Sequence, residues 1–132
     1  MKKVILVMIV SLFFSGCASL STQQSGSDNS YRQVSMDEAI DIMNQQTGYI
    51  ILDVRRVDEF ASGHIPGAIN IPNESIGTNE IPQLPDKDQM ILVYCRSGRR
   101  SKEASQKLAN LGYTNIVEFG GILDWPGNVV TE

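Results

Sequence analysis

Two runs of apolar residues stand out along the chain, Tyr49-Ile50-Ile51-Leu52-Asp53-Val54 and Met90-Ile91-Leu92-Val93-Tyr94. Each is nearly continuous and bounded by turn-forming residues, which is how a strand reads when both of its faces are covered. The second run is expected to be the central strand. Tyr31–Val34, Ala68–Ile71 and Asn115–Phe119 read as shorter strands around it. Between the strands the apolar spacing turns helical. Met36, Ala39, Ile40 and Met43 fall on one face of a helix that Ser35 and Glu38 open as a capping box and Gly48 ends. Val57 to Ser62 is a short helix, and Gly63-His64-Ile65-Pro66-Gly67 a turn. Ala104, Leu108 and Leu111 mark a longer helix stopped by Gly112. Gly120 to Trp125 begins a closing helical turn, whereas Glu74 to Asp88, with Pro82 and Pro85, reads as polar and irregular. Strands alternating with helices predict an α/β fold: an open, mainly parallel five-stranded sheet with helices on both faces.

The first residues follow a different pattern. Lys2 and Lys3 precede an apolar run from Val4 to Phe14, and Ser15-Gly16-Cys17 closes it with small residues. That order is a secretory signal, too short for an ordinary membrane span. Phe14-Ser15-Gly16-Cys17 resembles a bacterial lipobox, with Phe14 where an aliphatic residue is usual. The resemblance implies a signal peptide over residues 1–16, a lipid on Cys17, and anchoring to the cell envelope on the periplasmic side. Ala18 carries no inner-membrane retention signal, so the outer membrane is the expected site. Residues 17–30 are rich in Ser and Gln and offer little to bury, as in a flexible tether with a reach of roughly 20 Å. Residues 31–132 then form one domain around one core.

Without Lys2 and Lys3, nine basic residues face fifteen acidic ones, a net charge of about −6 that argues against nucleic acid as a partner. Five of those nine, Arg96, Arg99, Arg100, Lys102 and Lys107, crowd into one stretch of twelve residues. Cysteine use points to the same stretch. With Cys17 claimed by lipid, Cys95 has no partner for an intramolecular disulfide, so its thiol is either buried and inert or used.

Cys95 ends an apolar strand and stands just before a helix, whose first amides and dipole favour an anion. Ser97-Gly98 lets successive N–H groups curl inward as a nest, and Arg96, Arg99 and Arg100 flank the curl. Each of these favours the thiolate of Cys95, so that ionisation needs no dedicated base. A nucleophilic sulfur in an anion cradle suits sulfane-sulfur transfer or phosphoester hydrolysis. Cysteine phosphatases place an arginine after five intervening residues. Here Arg100 comes one residue sooner and Ser101 takes that place, so the loop is too short to wrap a phosphate.

Asp53-Val54-Arg55, Glu59-Phe60 and Gly63-His64-Ile65-Pro66-Gly67-Ala68-Ile69-Asn70 resemble the first signature of the rhodanese homology domain. Cys95-Arg96-Ser97-Gly98-Arg99-Arg100-Ser101 resembles its active-site loop, and Gly120-Gly121 with Trp125 its closing motif. The likeness runs from about Val34 to Trp125. It implies a ping-pong sulfurtransferase in which Cys95 takes sulfur from a donor such as thiosulfate, holds it as a persulfide, and yields it to cyanide or a thiol. Arg96, Ser97, Gly98, Arg99, Arg100 and Ser101 would bind the substrate and persulfide, and Asp53 and Arg55 would support the loops. His64 would shape its turn and Trp125 would pack. The resemblance implies no metal and no organic cofactor. A second reading stays open, a persulfide-carrying or sensing module that serves a protein partner.

Overall fold

The computed structural model describes residues 29–131. The signal peptide, Cys17 and most of the tether expected from the sequence lie outside the described residues. Five strands form one sheet: β1 (Arg32–Gln33), β2 (Ile50–Asp53), β3 (Ile69–Asn70), β4 (Ile91–Cys95) and β5 (Ile116–Gly121). Their order is β1-β5-β4-β2-β3, and every pairing among them is parallel. Among the described residues three helices connect them, α1 (Met36–Gln45), α2 (Val57–Ser62) and α3 (Arg99–Asn110), with 3-10 turns at Asn73–Ser75 and Ile122–Asp124.

The apolar runs explain the middle of this order. All five residues of β4 are buried, and strand alternation divides them between two cores. Ile91, Val93 and Cys95 meet Leu52, Val54 and Ile116 beneath Ala104 and Leu108 of α3. Leu92 and Tyr94 meet Ile51, Val117 and Phe119 beneath Ala39 of α1. The sheet is therefore covered on both faces, and β4 lies at its centre with neither face wet.

Several boundaries differ from the sequence reading. The α1 capping box is formed, with Ser35 and Glu38 exchanging backbone and side-chain bonds. Its packed face, however, runs through Met36, Ala39, Ile42 and Met43 rather than through Ile40. Ala39, fully buried, lets the helix approach the sheet most closely, and that tilts the stripe toward Ile42. The helix ends at Gln45, before Gly48. Residues 74–88 are irregular but not wholly polar in effect, since Ile76, Ile81 and Leu84 plug the edge of the α3-side core. Gly120 and Gly121 extend β5 instead of opening the final turn.

Candidate active site

β4 delivers Cys95 to the carboxyl edge of the sheet, where ligands bind in open α/β folds. Gly98 then takes a left-handed conformation with φ at +113°, open to glycine at little cost, and caps α3. That turn aims the Gly98 N–H at Cys95 Sγ, 3.0 Å away. The amides of Arg99, Arg100 and Ser101 follow at the start of α3, ahead of the bond from Lys102 N–H to Gly98 O. The closing motif backs this loop. A Cβ on Gly121 would run into the carbonyl of Arg96, and one on Gly98 would meet Gly120 Cα at 3.6 Å. Gly121 is thus what allows the loop to fold down over the sheet.

The loop borders an open pocket of about 820 Å³ lined by Arg56, Glu59, Glu74, Arg96, Ser97, Arg99 and Arg100. Its four guanidiniums outnumber its two carboxylates on a chain whose net charge is −4. Arg100 is bound bidentately by Glu59, at 2.6 and 3.0 Å. The same bonds hold the Glu59 carboxyl down at about 2, against the opposing effect of partial burial. Arg56 spends its charge on Asp58 and Glu59. Among the described residues Arg96 and Arg99 have no carboxylate partner, and both are exposed. Cys95 itself is 1 % exposed and does not line the pocket; its sulfur lies buried under the loop whose Arg96, Ser97, Arg99 and Arg100 do.

The remaining residues singled out from the sequence separate into two groups. Ser97 reaches the pocket, whereas the Ser101 side chain is fully buried and turns away from it. Ser101 Oγ lies 2.6 Å from Glu118 Oε1 and 3.5 Å from Cys95 Sγ. Asp53 and Arg55 form a buried pair, with Arg55 Nε and Nη2 donating to the carboxylate at 2.7 to 3.1 Å. Burial opposes the guanidinium charge, and the bonds to Asp53 more than offset it. Arg55 Nη2 also donates to Gly63 O, and Asn70 Nδ2 donates to the carbonyls of Asp53 and Arg55. His64 stacks on Phe60 with centroids 3.6 Å apart and bonds Phe60 O through Nδ1. These contacts brace the turns beside the pocket. Trp125 packs on the α1-side core and donates Nε1–H to Asn128 O. Among the described residues no group of three or more His, Cys, Asp or Glu could hold a metal.

Comparison with known proteins settles the family. The sequence model of the Rhodanese-like domain matches residues 35–127. The chain belongs to the rhodanese family. The thiosulfate sulfurtransferase PspE of Escherichia coli is 37% identical over 73 residues, 55% of this chain and 70% of PspE. A sulfurtransferase of Allochromatium vinosum is 38% identical over 79 residues, 58% of this chain and 70% of its own. A rhodanese from E. coli solved with anions superposes with a TM-score of 0.58 at 33% identity, over 64% of this chain and 99% of that one. The protein is accordingly a rhodanese-type sulfurtransferase, and sulfur transfer is the activity to be explained.

Two residues escaped the sequence reading. Glu59 was noted only as part of a motif, and nothing in its spacing joins it to Arg100, 41 residues away. Glu118 left a signal: it shares the inward face of β5 with Ile116, where an acid is out of place.

Proposed function

We propose that Cys95 carries the sulfur, taking it from thiosulfate or a similar anionic donor and yielding it to a thiol. The supporting observation is the Gly98 N–H aimed at Cys95 Sγ from 3.0 Å, in a loop whose Arg96, Ser97, Arg99 and Arg100 line an arginine-rich pocket. The thiolate attacks the outer sulfur of the donor. The donor S–S bond breaks, and sulfite leaves with the electron pair. The persulfide then sits among the amides of the loop from Arg96 to Ser101, with Gly98 N–H already in place to stabilise its charge. An acceptor thiolate attacks the outer sulfur, and Cys95 leaves as thiolate; cyanide would depart as thiocyanate. The chemistry calls on no metal or organic cofactor, because the covalent intermediate is the persulfide. Asp53 and Arg55 hold the neighbouring turns and touch no reacting atom.

A second reading, a persulfide carrier for a protein partner, is favoured by the depth of the sulfur, which is 1 % exposed. One experiment separates the two. The protein is incubated with thiosulfate, excess donor is removed, and the mass of the Cys95 peptide is read before and after adding cyanide or a small thiol. One added sulfur atom, discharged repeatedly, supports the enzyme; one that small acceptors leave in place supports the carrier. Cys95→Ser should stay folded by circular dichroism and load no sulfur. Undiminished transfer by that variant sinks the mechanism.

We further propose that Cys17 carries a lipid after removal of residues 1–16, which would place the domain on the cell envelope, facing the periplasm, with the outer membrane the expected site. The support is the lipobox-like Phe14-Ser15-Gly16-Cys17. Labelling with a fatty-acid analogue should mark the wild type and not Cys17→Ala, and that variant should move to the soluble fraction. Label retained by Cys17→Ala would overturn the assignment.

A further inference from the structure

Glu118 is a buried acid that the sulfur-transfer reading does not use. It is 3% exposed, and among the described residues no Lys, Arg or His lies within ion-pair distance of it. Its Oε1 accepts two hydrogen bonds, from Gly120 N–H at 2.9 Å and from Ser101 Oγ at 2.6 Å. Ser101 has one proton to give and three acceptors in reach, Glu118 Oε1 at 2.6 Å, Gly98 O at 2.9 Å and Gly120 O at 3.3 Å. The contact to the carboxylate is the shortest, and the carboxylate is the one that carries charge. With that proton on Glu118, its oxygen accepts the Cys95 S–H at 3.5 Å. A continuous chain of donors therefore runs from the sulfur to a carboxylate that has no cation to balance it. Isolated buried carboxylates are costly, and proton uptake is the usual relief.

We propose that Glu118 is a positioning residue that shares one proton with Cys95 through Ser101. In one arrangement the thiol is intact and Glu118 is ionised. In the other the thiol proton passes to Ser101 Oγ as the serine proton passes to Glu118 Oε1, and the negative charge moves to sulfur. No proton enters or leaves the protein in this exchange. The buried site holds a single negative charge, and where it sits decides whether Cys95 is nucleophilic.

The other charges around the pair do not supply such an exchange. Arg96 and Arg99 are cations at the pocket, and Arg100 is locked to Glu59. Asp53 at the end of β2 is bound by Arg55. β1 places Gln33, a neutral side chain, in register with Glu118. From α3 the group in contact is Ser101.

Coupled groups titrate in steps that belong to the pair. Once the pair has lost its first proton and shares the one that remains, the fraction of reactive sulfur stops rising with pH, and it rises again only when that last proton leaves. The test is the rate of Cys95 alkylation by iodoacetamide, a neutral reagent, measured on the full chain against pH and read at the Cys95 peptide. Wild type should show two rises separated by a plateau. Glu118→Gln keeps the shape and accepts from Ser101 but cannot take the proton. It should show one rise of about tenfold per pH unit, and overtake wild type across the plateau. A single rise in wild type overturns the proposal, as does a plateau that survives in Glu118→Gln. Should that variant fail to fold, the carboxyl carbon of Glu118 in wild type is followed by NMR. It should move in the same two steps as the alkylation rate, and a single step unchanged by blocking Cys95 overturns the proposal. The assay uses no sulfur donor, so it can fail while sulfur transfer stands, and the reverse.

Discussion

Arg100 grips Glu59 through two parallel bonds, Nη1 to Oε1 at 2.6 Å and Nη2 to Oε2 at 3.0 Å, and so ties the start of α3 to α2 across the pocket. The carboxyl is held at about 2, below its ordinary 4.5. A carboxyl lowered on folding contributes stability that is complete above its unfolded value and fades as pH falls through the folded one. Glu59→Gln should cost about 1 to 2 kcal/mol at neutral pH. In urea titrations that deficit should shrink between pH 4.5 and 2 as wild type loses the same contribution. A deficit independent of pH would show that shape and not charge makes the contact.

Arg96 and Arg99 are the two pocket cations without a carboxylate partner among the described residues, so they are the ones free to attract a donor anion. Alanine at either should raise the KM for thiosulfate by about three- to tenfold with little change in unfolding midpoint, and should flatten the dependence of kcat/KM on salt. Arg100→Ala should differ in kind, since it also strands Glu59 and lowers the midpoint. Equal salt slopes in wild type and variants would remove these arginines from donor capture.

Gly121 has no room for a side chain, because the carbonyl of Arg96 occupies the place of its Cβ. Gly121→Ala must push the loop off β5 and with it the Gly98 N–H off the sulfur. Misplacement of about 1 Å at a reacting centre can cost on the order of a hundredfold in rate. Sulfur loading should fall by about that factor while the circular dichroism spectrum is retained. Loading at the wild-type rate would mean the loop does not depend on this contact.

Asp53 leaves Arg55 unpaired in a buried position when it is removed. Asp53→Ala should therefore cost about 3 to 5 kcal/mol, far more than a surface ion pair. A double-mutant cycle with Arg55→Ala, read by urea unfolding, should give a large coupling between the two. Additive losses would show that each side chain acts through separate contacts, such as Arg55 with Gly63 O.

Much of this fold was written plainly in the chain. The runs around Leu52 and Val93 are strands buried on both faces, and such runs carry a strong signal because nearly every position is apolar, Asp53 being neutralised by Arg55. The loop was legible too, since a strand end, a glycine and a helix start occur together between Cys95 and Ser101. What could not be read were partnerships across long separations. Glu59 and Arg100 meet only because α2 and α3 flank one edge of the sheet. Ile76, Ile81 and Leu84 looked isolated among polar residues because irregular backbone has no period to display them. Ile40 lost its place to Ile42 because the closest approach of α1 is set by Ala39, which only the packed sheet reveals.

The parallel sheet gives the domain a front and a back. Ser30 and Tyr31 enter beside Thr114 and Asn115 at one end of the strands, and Cys95 stands at the other. A five-residue strand spans about 17 Å. A domain held by its leading residues, whether by a bead, a fused neighbour or a membrane, is therefore held at the end away from its pocket, which the attachment leaves uncovered.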